Sequence, residues 1–180
     1  MNDLDDELRC YMTLAFLTRG AKQRALGAPF DEYVSNLGIP ALGRQKADRK
    51  ATIEAYFDSV EKSLFDQYLL RLVAAFERLA FDKLKNAIGT ARATLEAEYP
   101  VDSPFWRAAG HFVKDAQVDF KSLADVEKLL ASYPQSASKD LHELREHRNL
   151  VAHAGRLGER STFSKIEDVP KALADLLSVI

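Results

Sequence analysis

FDQYLLRLVAAFERLAFDKL, Phe65 to Leu84, is the stretch that decides the fold class. Its apolar residues Phe65, Leu69, Leu72, Phe76 and Leu79 recur every three or four positions. The series runs on through Leu84, Ile88, Ala91 and Leu95 with one step of five. That is the period of an α-helix with one buried stripe, and it excludes a strand, whose apolar residues would alternate. An unbroken helix from Leu64 to Glu98 would be roughly 52 Å long at about 1.5 Å per residue. Gly89 is where a helix of that length is expected to bend, and Tyr99-Pro100 ends it. Upstream, residues 46–62 are charged and helical in pattern, with Ile53, Phe57 and Val60 on one side.

Working outward, the same period predicts more helices and nothing else. Residues 3–19 read as a first helix. Asp3, Asp5, Asp6 and Glu7 suit its positive end, Leu4, Leu8, Tyr11, Met12 and Ala15 make its stripe, and Gly20 stops it. Gly27-Ala28-Pro29, Gly38, Pro40 and Gly43 break residues 20–45 into short helical pieces. Residues 100–121 read as irregular, with Phe105 and Trp106 anchoring the loop on the core. Ser122 to Ser132 reads as a short helix, and Tyr133-Pro134 ends it. Ser136 or Ser138 is placed to cap the next helix, and Gly155 and Gly158 to close it. Asp168 with Val169-Pro170 opens a last helix, whose apolar face is Val169, Leu173, Leu176, Leu177 and Ile180. There is no useful period-two run, internal repeat or low-complexity segment. The expected fold is an all-α helical bundle.

Composition narrows the function classes. The chain has 180 residues, 47% hydrophobic and 29% charged, enough for a sizeable core in one domain or one domain with an extension. A formal charge of −2 gives no global steering toward nucleic acid, so an RNA-binding surface would have to be local. Cys10 is the one cysteine, which leaves no intramolecular disulfide and no thiol zinc site. The acidic start MNDLDDELRC lacks an apolar signal core, and no run has the length and apolarity of a membrane span. A cytoplasmic protein with no membrane partner is the resulting expectation.

The chemistry-bearing stretch is LHELREHRNLVAHAGR, Leu141 to Arg156. Arg148 and Asn149 stand next to each other, and His153 follows Arg148 after four intervening residues. Arginine holds a phosphate with a planar fork and keeps its charge. Histidine takes and returns a proton near neutral pH. Together these suffice to cleave an RNA phosphodiester without a metal, because RNA carries its own 2′-OH nucleophile. Arg145 and Arg156 flank the motif as candidates to touch substrate phosphates, although Glu143, Glu146 and Glu159 largely cancel them. On an ideal helix His153 lies about 140° around from Arg148, so one chain would not converge both on a single phosphate. Either the helix unwinds after Asn149 or the site is shared between two chains.

The run RNLVAH, Arg148 to His153, near the end of a late helix resembles the motif of the HEPN superfamily, and Phe65–Leu84 with its Glu77 is similar to that superfamily's long early helix. The resemblance covers residues 64–180 and leaves 1–63 as an additional N-terminal helical region packed on or flanking the core. It implies a HEPN-type helical bundle, a metal-independent endoribonuclease and a homodimer in whose cleft two motifs meet. It also implies RNA as substrate and a role as a toxin or defence effector restrained by an antitoxin or other regulatory protein. In that reading His153 is the acid/base group, Arg148 the phosphate clamp, and Asn149 the group that orients Arg148 or a phosphate oxygen.

Each residue also has a plain structural role. Arg148, on the apolar side of its helix, would pair at the core edge with Glu77. Asn149 would cap backbone locally, and His153 would face solvent in a last turn where the helix dipole favours it. His142 and His147 read as surface polar residues. The alternative function is a non-catalytic dimerisation or interaction module. Other chemistries have less to stand on. His142, His147 and His153 are five and six apart, unlike a zinc-binding helix face, so neither metal nor cofactor is expected. GIPALGRQK, Gly38 to Lys46, lacks phosphate-loop spacing, and there is no Gly-x-Ser-x-Gly elbow.

Overall fold

A computed structural model describes residues 3–39, 45–99, 103–105, 122–130, 135–152 and 168–179. The protein is all-α, with no strand among the described residues. Its elements are α1 (Asp3–Gly27), α2 (Glu32–Ser35), α3 (Lys46–Glu98), α4 (Leu123–Leu130), α5 (Gln135–Ala152) and α6 (Asp168–Val179). Residues 1–72 and 73–180 form two compact units, and the division falls inside α3.

In the first unit α1 does not stop at Gly20 but continues to Gly27. A lone glycine costs a helix interior only about 1 kcal/mol relative to alanine. The turn beyond it carries Ala25, fully buried in a cluster with Val34, Ile39, Ile53 and Phe57, against which Ala21 and Leu26 also pack. That burial outweighs the glycine. Of the region expected to hold only short pieces, residues 20–39 are therefore the tail of α1 followed by one turn of helix. Asp31 caps α2 by accepting a hydrogen bond from Tyr33 N at 3.0 Å. Gly38, at φ 66°, then supplies the left-handed step that lets Ile39 turn into the cluster.

Farther up α1, Tyr11 stacks on Tyr68 of α3 with ring centroids 4.6 Å apart. Arg71 closes an ion pair with Glu7 at 2.8 Å. Met12, expected in the buried stripe, is 48% exposed. Tyr11 takes the inward position, and Met12, one position or about 100° on, faces away from it. Lys22 pairs with Asp58, whose hydrogen bond raises the lysine above its ordinary 10.5. The pair's small contribution is present at neutral pH and is lost only as pH rises past that raised value.

A Cβ built on Gly20 meets nothing within 4 Å. Gly20→Ala should therefore stabilise the protein by about 0.5–1 kcal/mol through lower unfolded-chain entropy and better helix propensity. A denaturant midpoint that stays put or falls would show that α1 is not a regular helix there.

α3 runs unbroken through Gly89 and ends at Glu98, where Tyr99 N still bonds Leu95 O at 2.9 Å. Phe105 does not anchor on the core. It is 51% exposed and lies on the Tyr99 ring, with centroids 4.2 Å apart. Trp106, like Ile180, Gly155 and Gly158, falls outside the described residues.

The second unit is built from the later part of α3 with α4, α5 and α6. Phe76, Ala80 and Leu84 of α3 are buried, as are Val126 of α4, Leu141 and Leu144 of α5, and Val169, Leu173, Leu176 and Leu177 of α6. α5 packs against both α4 and α6. Lys83 of α3 donates to the backbone carbonyl of Leu177 at 2.6 Å. That carbonyl is one of the four a helix C-terminus leaves without an internal partner, so a cation there serves hydrogen bonding and the dipole together.

Candidate functional site

α5 carries the site. It starts at Gln135, so Ser136 and Ser138 sit inside its first turn and do not precede it as caps. Leu141 and Leu144 are 1% and 0% exposed and set its inward face. The next three-residue step reaches His147, which is 2% exposed. The surface role expected for His147 is thus overturned. It continues the Leu141–Leu144 spacing, a signal that was present in the sequence but was outweighed by residue type.

Arg148 lies beside this inward face, at its edge. Its Nη1 donates to Glu77 Oε1 on α3 at 3.0 Å, with the arginine side chain 40% and the glutamate 18% exposed. Glu77, reached through Nη1, is its one partner among the described residues. Asn149 follows and is exposed. α5 remains helical to Ala152. Unwinding directly after Asn149 is therefore not the way Arg148 and His153 reach one phosphate. His153 and Arg156 lie outside the described residues.

Arg145 is engaged by acids. Its Nη1 is 3.0 Å from Glu127 Oε2 of α4 and its Nη2 donates to Glu146 Oε1 at 3.2 Å. The other Glu127 oxygen, Oε1, is 2.9 Å from His142 Nδ1. Glu143 takes no part and instead faces Lys139 at 3.8 Å. Sequence reasoning missed Glu127, because a partner fifteen residues away on another helix leaves no local spacing signal. The resulting Glu127–His142–Arg145 cluster orients an exposed imidazole by a carboxylate, a geometry suited to proton transfer. It also neutralises Arg145, which weakens that arginine as a phosphate ligand.

Among the described residues no three His, Cys, Asp or Glu side chains are grouped to hold a metal ion, and no helix is long and apolar enough to cross a membrane. Compared with known protein families, curated proteins and solved structures, the chain matches no family model, no curated protein and no solved structure.

The two described histidines of α5 should respond very differently to truncation. His147→Ala leaves a hole in a packed interface and should cost about 2–3 kcal/mol. His142→Ala, at an exposed hydrogen bond to Glu127, should cost under about 1 kcal/mol. Equal losses in urea melts of the two variants would contradict the burial of His147.

Proposed function

We propose that the protein is a metal-independent endoribonuclease of HEPN type, with Arg148 as phosphate clamp and His153 as acid/base group. The observation that supports it best is Arg148 itself. Glu77 holds it at the edge of the core by one nitrogen while two fifths of the side chain stays open to solvent. A clamp needs both properties, since a free surface arginine is not positioned and a sealed one cannot meet substrate. Asn149, exposed beside it, is available to orient a phosphate oxygen. In the reaction a base removes the 2′-OH proton, the oxygen attacks the adjacent phosphorus, and the 5′-oxygen leaves with a proton from the acid. The product is a 2′,3′-cyclic phosphate. Arg148 lowers the barrier by neutralising charge that accumulates on the phosphorane. With Arg148 and His153 on different sides of an ideal helix, the working pair combines Arg148 of one chain with His153 of a second. A toxin or defence role, restrained by a regulatory protein, follows from the resemblance.

The same ion pair favours a second reading, in which Arg148 only ties α5 to α3 and the protein is an interaction module. Cleavage of RNA in the presence of EDTA separates the two. The ribonuclease reading expects RNA but not DNA to be cut, with cyclic-phosphate ends and no loss of rate in chelator. Cleavage of DNA, or activity that disappears with EDTA, would refute it.

A further inference from the structure

We propose that α1 is a self-association surface on which two copies of this chain pair antiparallel, with Met12 at the two-fold axis. Met12 and Phe16 are 48% and 76% exposed and lie one turn apart on one face of α1. Large apolar side chains contiguous on a solvated helix face mark a docking surface more often than a lone exposed one does.

The occupant is set by charge. Asp5 and Arg19 stand seven residues before and seven residues after Met12. At 3.6 residues per turn, seven residues return to within about 20° of the same face, so both flank the apolar row. Three other charges of α1 are used within the chain: Glu7 by Arg71, Lys22 by Asp58, and Arg24 over the Tyr33 ring. Among the described residues Asp5 and Arg19 hold no ion pair.

A two-fold axis through Met12 sets Met12 against Met12, Phe16 against Leu8, and Asp5 against Arg19 twice over. Leu8 is half-buried, with surface left for a ring to cover. The antiparallel arrangement also opposes the two helix dipoles, whereas a parallel pair would set acid on acid and base on base. This is an isologous contact, in which one patch complements itself. A single helix row covers less than the roughly 800 Å² per partner of a standard interface, so dissociation constants on the order of 10–100 µM are expected. The inference uses α1 alone and stands whether or not the protein cuts RNA.

The test is sedimentation of the full chain up to about 500 µM, well above the expected dissociation constants. Wild type should self-associate, and Asp5→Arg or Arg19→Asp alone should weaken that step about tenfold by setting like charges together, whereas a dimer formed through α5 would be left unchanged by either variant. An equimolar mixture of the two variants should regain wild-type affinity, because each contact in that heterodimer joins opposite charges. The mixture also controls for folding, since neither chain need dimerise alone. In a Cys10→Ser background, Met12→Cys chains should link covalently with oxidised glutathione, and chains carrying Ser59→Cys, at an exposed position of α3, should not. A monomeric wild type, single variants that associate like wild type, a mixture no tighter than its components, or failure of Met12→Cys to cross-link would each overturn the proposal.

Discussion

His153→Ala chains should cut RNA about 10²–10⁴-fold more slowly than wild type, the usual cost of removing a general acid or base. The wild-type rate should peak between about pH 6 and 8, where an imidazole is present in both protonation states, and the residual rate of the variant should lose that bell shape. A variant with wild-type turnover would leave Arg148 with its structural role alone. Arg148→Ala should be as inactive, and the two dead proteins test how the site is assembled. Unfolded together and refolded as a mixture, they form heterodimers holding one intact Arg148 and one intact His153 on different chains. If the pair works across two chains, one of the two sites is whole and activity returns. If a mixture with heterodimers confirmed by mass stays dead, both groups come from one chain, and the backbone past Ala152 must carry His153 around to Arg148.

The second large effect concerns stability. Phe76 is fully buried on α3, in the turn that holds Glu77. Phe76→Ala removes a ring's transfer energy and leaves a cavity that long, continuous α3 cannot easily close, so a loss of about 3–5 kcal/mol is expected. That is a large part of the stability of an ordinary domain. Leu95→Ala, farther along the same apolar series but half-buried, should cost much less. Urea midpoints read by circular dichroism compare the two. Equal losses would mean that the core does not centre on the Phe76 turn.

What the sequence determined by itself is the periodic part. The apolar series through Leu69, Leu72 and Phe76 requires a helix, and those three side chains are buried in α3. Asp168 with Val169-Pro170 starts a helix whose Val169, Leu173, Leu176 and Leu177 are all buried. A 3.6-residue period reports which side faces a core, and that needs no knowledge of the partner. Arg148 at an inward edge followed from the same arithmetic.

Only tertiary structure decided the rest. Gly20 looked like a stop because local propensity disfavours it, but Ala25 gains more from its cluster than the glycine loses. His147 looked like surface because histidine is polar, yet its position one step past Leu144 carries it inward. Glu127, which holds both His142 and Arg145, sits on a separate helix, and nothing local to either residue encodes it. Spacing along a chain encodes direction around one helix, whereas partners depend on which helices pack together, and that is settled by the burial of the whole core.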